Sequence, residues 1–318
     1  MRGFRPVLAA LSVKQTPKMI VDKPKPKDFE RQSIQYLIQS IDLITSNDHK
    51  DEDIEDYEVD MAEYWKYHQG ILNNSLTLLF LSLENLIKKE ICKISPLMLL
   101  ADEPKKWGGR TSPKKFSELF ILQFDDLLVL YQELGLGHIS NQTANKLEDL
   151  RKKRNQITHG VIEDNITPQY ILDIFYTLMV HIWGPGIWWT QLKEHIFNEP
   201  LFGIYDSDHE KASVTTYIEF FVSYLGKKRT GEMLGHNLKQ RNYFCPECHY
   251  WLNHEWDVTD SKYAILSPNT PSSETLFCVV CSESHNVERK ECQEDDCKGN
   301  VICMEGRCLT CFSEQENR

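Results

Sequence analysis

Arg154, Asn155 and His159 stand close together in the stretch Leu147-Glu148-Asp149-Leu150-Arg151-Lys152-Lys153-Arg154-Asn155-Gln156-Ile157-Thr158-His159-Gly160, and their types suit phosphate chemistry. Arginine offers a fork of donors that matches two phosphoryl oxygens, which lysine cannot reproduce. Histidine gives and takes a proton near neutral pH, and in a last helical turn the macrodipole favours its charged form. Asn155 can orient either the histidine or a phosphate oxygen. A second set of chemistry-bearing residues lies downstream: every cysteine except Cys92 falls between Cys245 and Cys311, with CxxC pairs at Cys245/Cys248, Cys278/Cys281 and Cys308/Cys311. Paired thiolates at that spacing match tetrahedral zinc.

The element that must position Arg154 is a helix. Ser140 to Thr143 supplies N-cap candidates, Leu147, Leu150 and Ile157 recur at three- and seven-residue spacing, and Gly160 follows as a C-terminal stop. At roughly 100° per residue Arg154 falls between Leu147 and Leu150 and beside Ile157, on the face that should be packed. Thr158, Arg151, Asn155 and His159 fan out beside it as a polar wedge, which only another helix or another subunit can cover. The plain alternative is a basic surface helix whose His159 caps its own C-terminal carbonyls.

The order Arg154-Asn155 followed by His159, an Arg, a polar residue and a His after four intervening residues, resembles the signature of the HEPN superfamily (higher eukaryote and prokaryote nucleotide-binding). Glu84-Asn85-Leu86-Ile87-Lys88-Lys89 is similar to the Glu-x-x-x-Lys-(Arg or Lys) element on an earlier helix of many ribonuclease members, although it also reads as an ordinary i, i+4 ion pair. The resemblance covers the middle of the chain and implies a HEPN-like helical bundle. It further implies a metal-independent endoribonuclease acting on RNA as a homodimer, in the manner of toxins and antiviral defence nucleases, with an antitoxin or other regulatory protein as a possible partner. Arg154, Asn155, His159, Glu84 and Lys88 become the expected catalytic set: Arg154 stabilises charge on the phosphorane, His159 acts as general acid or base, and Asn155 positions them.

Composition places these residues in an expected architecture. The chain has 318 residues, 41% hydrophobic, enough for two domains with a real core. The formal charge of −11 is uneven: Asp48 to Asp60 holds eight acids against one lysine, Arg241 to Arg318 is also acidic, and Met1 to Lys27 is basic. Global acidity therefore does not exclude a nucleic-acid substrate, since the local field governs steering. Residues 1–27 read as a basic, proline-containing arm and 28–200 as the bundle. Within it lies the acidic stretch 48–60, a solvated linker or a nucleic-acid mimic. Residues 201–240 form a connector, and 241–318 a cysteine-rich zinc-binding domain. Asp28 is the expected cap of a first helix to Ser46. Met61 to Ile94 should form one amphipathic helix with Leu72, Leu76, Leu79, Leu83, Leu86 and Ile94 inward. Phe116 to Leu134 should form another, begun by Thr111-Ser112-Pro113, with Leu119, Phe120, Phe124, Leu127, Leu128 and Tyr131 inward. Ile166 to Trp183 and Trp188 to Phe197 follow on either side of a Gly-Pro-Gly break that argues against a membrane span. No strand signal precedes Ser213, and Ser213 to Leu225 fits helix or strand.

The expected fold is mainly α, a helical bundle followed by a small α/β or β zinc-binding domain of ribbon type. Two structural zinc ions are expected, one on Cys245, Cys248, Cys278 and Cys281, the other on Cys292, Cys297, Cys308 and Cys311. Cys303, in an apolar run, should be buried in a strand; it and His285 are the reserve ligands of the second site. Four protein ligands leave no open position, so neither ion activates water. Clustered cysteines in a reducing setting indicate a cytoplasmic protein without a membrane partner. A reading from another class is a non-catalytic HEPN-like module that binds nucleotide or protein while the ribbon recruits a partner. A zinc-ribbon transcription factor is disfavoured, because acids outnumber bases in the ribbon.

Overall fold

The computed structural model describes residues 19–48, 60–109, 111–160, 165–198, 208–255 and 262–316. They are mainly helical and end in a curled antiparallel sheet. The acidic stretch 49–59 and residues 1–18 of the basic arm lie outside the described residues. Two compact units are distinguished, one built from the chain up to Arg31 together with Glu84–Leu136, the other from Gln32–Leu83 and Gly137 onward.

In the first unit the end of the basic arm is structured: β1 (Ile20–Val21) pairs in parallel with β2 (Lys114–Lys115), and Ile20 is buried. This overturns the expectation of no strand before Ser213. The first helix, α1 (Pro26–Thr45), starts two residues before the expected cap. Proline suits that first position because its missing N–H would have no partner there. Asp28 instead reaches back to accept the Lys25 N–H at 2.8 Å. Residues 116–123 do not extend the next helix. The Ala101 N–H donates to the Phe120 carbonyl at 2.9 Å, and the Phe120 N–H donates to Asp102 Oδ2 at 2.9 Å. After a 3-10 turn at Phe116–Glu118 those bonds hold the chain extended, so Phe120 is 76% exposed and α4 spans only Phe124–Glu133, with Phe124, Leu127 and Tyr131 buried.

The second unit holds α2 (Met61–Tyr67) and α3 (Gln69–Ile94) as far as Leu83, and the two helices are separated at His68, so the expected single helix is two. Leu72, Leu76, Leu79 and Leu83 are buried as expected, and so is Leu86 in the first unit, whereas Ile94 at the helix end is exposed. Against α3 packs α1, and the contact is made by serines. The Ser40 hydroxyl donates to the Ser75 carbonyl at 2.8 Å, the Ser75 hydroxyl donates to the Ser40 carbonyl at 2.7 Å, and one heptad away the Ser33 hydroxyl donates to the Ser82 carbonyl at 2.7 Å. All four side chains are fully buried. Small residues every seven positions on two antiparallel helices let the backbones approach and keep one seam facing its partner.

The helices α5 (Asn141–His159), α6 (Pro168–Leu178), α7 (Ile187–Phe197) and α8 (Asp208–Leu234) complete the helical part. Thr167 caps α6, which widens into a π-helical turn at Met179–Trp183 before the Gly-Pro-Gly break bends the chain by 107° into α7. The stretch 201–240, left between helix and strand at its centre, carries α8, broken at Gly226. Phe221 of α8 stacks on Phe175 at 5.4 Å, Trp188 stands edge-on to both, and the Trp188 indole donates to the Met233 carbonyl at 2.9 Å. Helix α8 is thus a core element. Among the described residues α3 alone is long and apolar enough to cross a membrane, and over half of its most apolar window is buried.

The cysteine-rich part is a meander of five antiparallel strands, β3 (Asn242–Tyr243), β4 (Ala264–Leu266), β5 (Thr275–Cys278), β6 (Ser284–Glu288) and β7 (Ile302–Cys303), with α9 (Pro246–Glu255) after the first. Cys303 is buried in β7, as its apolar neighbours indicate.

Candidate metal centres and the Arg154 surface of α5

Helix α5 carries the expected phosphate-binding residues with the expected ends. Ser140 Oγ accepts the Thr143 N–H at 3.2 Å, and Gly160 takes the left-handed conformation (φ 71°) that lets its N–H return to the Ile157 carbonyl at 3.2 Å. Leu147 and Leu150 are fully buried, and Arg154 beside them is half-buried with its guanidinium 5.2 Å from the centroid of Phe80. Arg154 Nη1 donates to Asn155 Oδ1 at 3.1 Å, while its Nε is buried and has no hydrogen-bond partner. Arg151 differs: Nε and Nη2 both donate to Glu148 at 2.8 Å, and that hydrogen bond is the leading cause of a lowered Glu148 carboxyl pKa. Lys153 lies 5.3 Å from the ring of Tyr170, whose hydroxyl donates to Asp149 at 2.6 Å. His159 is exposed in the last turn. The structure therefore brings Arg154 and Asn155 into direct contact. Glu84 and Lys88 pair with each other, one turn apart on α3 in the first unit.

The eight cysteines expected to bind metal fall into the two expected groups of four, the sulfurs of each group lying within 4.8 Å of one another. In the first, Cys245 and Cys281 sulfurs are 3.9 Å apart and Cys248 and Cys278 sulfurs 3.8 Å; in the second, Cys292 and Cys311 are 3.7 Å apart and Cys297 and Cys308 3.9 Å. A tetrahedron of sulfurs at about 2.3 Å from a central ion has edges of about 3.8 Å. Both sets fit a structural metal site, and the spacing is far too long for disulfides.

Local backbone explains how the sulfurs converge. Cys245 precedes α9 and its sulfur accepts the Cys248 N–H at 3.5 Å, the role of a helix N-cap, which favours a thiolate. The other two CxxC turns share one form: the N–H of Ser282 returns to the Cys278 carbonyl at 2.9 Å, that of Phe312 to the Cys308 carbonyl at 2.6 Å, and both residues are left-handed (φ 64° and 65°). At the second site Gly299 donates its N–H to Cys297 Sγ at 3.3 Å, and a Cβ there would stand 2.6 Å from Cys308 Sγ. Buried His249 ties the sites together, its ring 4.0 Å from both Phe244, next to Cys245, and Phe312, next to Cys311.

Two residues near the first site differ from expectation or escaped it. His285, held in reserve for the second site, has Nε2 3.3 Å from Cys245 Sγ, and Glu247 and Cys281 lie within reach of the same ring. Strand β6 carries it alongside β5, which ends at Cys278, so pairing and not proximity in sequence decides its site. Lys193 of α7 was missed: it is 6% exposed, donates to the Val279 carbonyl at 3.4 Å, and bonds to the Ser282 hydroxyl. Burial pushes its ammonium pKa down, and Cys278 and Cys281 oppose that shift. The signal was present, because Lys193 interrupts an apolar stripe of Trp189, Leu192 and Ile196 at helical spacing. In comparisons with known proteins, no family model, no curated protein and no solved structure matches this chain.

Proposed function

We propose that the chain is a metal-independent endoribonuclease of HEPN type, with two structural zinc ions in its C-terminal domain. The single observation that carries the reading is the state of Arg154. It is half-buried at the edge of an apolar stripe, its Nε donor has no partner, and among the described residues no carboxylate neutralises it, while neighbouring Arg151 is fully matched by Glu148. A cation left in that condition suits an anionic ligand. In the proposed reaction a ribose 2′-hydroxyl loses its proton and attacks its own phosphodiester, forming a 2′,3′-cyclic phosphate as the bond from phosphorus to the 5′-oxygen of the next nucleotide breaks and that oxygen takes up a proton. Arg154, fixed by Asn155, holds the developing charge on the phosphorane, and the exposed His159 exchanges the proton. Glu84 and Lys88 enter through the family resemblance. One Arg and one His in the site of each chain are fewer groups than acid, base and charge stabilisation require together, so the active species is a homodimer that joins two such sets. Zinc is the metal proposed because four thiolates in a closed tetrahedron suit it, and the reduced thiols fit a cytoplasmic address.

A second reading, a non-catalytic module whose cysteine-rich domain recruits a protein, draws support from exposed Tyr250 and Met304 on that domain. The test is cleavage of several RNA classes by the purified protein in chelator at neutral pH. Cleavage by wild type, its loss in folded Arg154→Ala and His159→Ala, and partial recovery on mixing the two variants are expected. Intact RNA with a folded wild-type dimer would favour the binding module, and full activity of a monomer would remove the composite site.

A further inference from the structure

Lys193 is a buried cation that nothing anionic on the helical side matches. Its ammonium lies 5.5 Å from the Trp189 ring, its oxygen partners are Val279 and Ser282, and no carboxylate pairs with it among the described residues. An ammonium taken out of water without a counter-charge is strongly unfavourable. Its two partners place the missing charge: Val279 lies inside the Cys278–Cys281 turn and Ser282 closes it. Four thiolates on a divalent ion leave two negative charges, and that site too is buried, with Cys245, Cys248 and Cys278 nearly inaccessible. The second metal turn offers a contrast. Exposed Arg241 donates to Thr310 Oγ1 at 3.3 Å and to the Lys298 carbonyl at 3.1 Å, so a cation stands there also, but in water, where screening weakens it.

We propose that Lys193 is the counter-charge of the first metal centre, so that metal loading of that centre and the seating of α7 on the cysteine-rich domain depend on each other. This rests on the tetrathiolate reading of the site. Loaded, the centre presents a net anion to the ammonium; emptied and protonated, it leaves Lys193 buried without a partner, and α7 must release the turn to return that charge to water. The direction is reciprocal, because a coupling between two events acts equally on both. Lys193 is thus a positioning residue that tunes the thiolates through charge and through the Val279 carbonyl, in the manner of groups that surround metal ligands without touching the ion.

The experiment uses the full chain loaded with zinc or cobalt. Metal content is first assayed in wild type and in Cys297→Ser, whose remaining zinc reports the first site, and a Cys297→Ser chain without zinc would refute the underlying site reading. Lys193→Met, which keeps the stem and drops the charge, should release one of the two zinc ions to a competing chelator about tenfold more readily. Cys278 and Cys281 should then be alkylated ahead of Cys308 and Cys311, and the sulfur-to-cobalt charge-transfer band should shift. Lys193→Arg should restore much of the affinity, and Arg241→Gln should have a smaller effect, confined to the other site. Ser282→Ala, which keeps the charge, guards against failure of Lys193→Met to fold and should retain near-normal affinity. On zinc removal hydrogen exchange should rise across Ile187–Phe197. Metal release and alkylation in Lys193→Met equal to wild type would overturn the proposal, as would equal losses in Lys193→Met and Lys193→Arg.

Discussion

The guanidinium of Arg154 on α5 rests 5.2 Å from the centre of the Phe80 ring on α3, and Phe80 is itself buried. The ring both fills the core and supplies a face over which the cation is held. Such contacts contribute about 0.5 to 2 kcal/mol, which corresponds to about 2- to 30-fold in a rate that depends on the cation's position. Phe80→Leu, a smaller but apolar side chain, should therefore lower RNA cleavage by that order while the protein stays folded. Thermal unfolding measured beside cleavage separates the two effects; unchanged turnover in Phe80→Leu would show that the ring does not orient Arg154.

Metal content should follow the grouping of sulfurs. Wild type should hold two zinc ions per chain, Cys303→Ser should still hold two, and Cys297→Ser should hold one. Gly299→Ala should behave like Cys297→Ser although it removes no ligand, because the added methyl would collide with Cys308 Sγ. Elemental analysis of the wild type and the three variants reads all four, and two zinc ions in Gly299→Ala would show that the second site tolerates the shift.

The sequence exposed whatever was written in local pattern. The cap at Ser140, the stop at Gly160 and the inward Leu147 and Leu150 are set by neighbours in the chain, and they stand where spacing placed them. Two CxxC pairs likewise announced the first group of four cysteines, and one CxxC pair with Cys292 and Cys297 around a loop announced the second. What stayed hidden depends on partners distant in sequence. Phe120 has the spacing of a buried helical residue, yet backbone bonds to Ala101 and Asp102 turn it outward. His285 joins the first metal group through strand pairing, and the four serines between α1 and α3 look like ordinary polar helix residues until two helices are set side by side.

Those serines give a stability prediction. Ser40→Ala removes one buried hydrogen bond to the Ser75 carbonyl and should cost about 1 kcal/mol, since a methyl group still fits the seam. Ser40→Leu must force the helices apart and should cost about 1 to 3 kcal/mol or more. Chemical denaturation of both variants checks the order. A Leu variant as stable as the Ala variant would mean that the seam is looser than its fully buried serines indicate.

The last prediction concerns Asp42 of α1, which accepts a hydrogen bond from the Tyr217 hydroxyl of α8. Burial pushes the Asp42 carboxyl pKa above the ordinary carboxylate value, and the Tyr217 hydrogen bond and His195 pull in the opposite direction. A raised pKa in the folded state means that folding favours the protonated acid. The contribution of Asp42 to stability is therefore fully present below the ordinary value of about 4 and is lost as pH rises through the raised one. At neutral pH the buried charge is a liability, moderated by Tyr217. Asp42→Asn removes that charge and keeps an oxygen for the hydroxyl, so the variant should be more stable than wild type at pH 7, with the gain shrinking as pH falls toward 4. Tyr217→Phe should do the reverse, destabilising most at pH 7, where the carboxylate loses its donor, and least near pH 4. Differences in melting temperature from wild type, followed across that range, read both variants against the same background. A flat difference for Asp42→Asn, or a loss of stability at pH 7, would show that water reaches the carboxylate and that its burial is not what governs it.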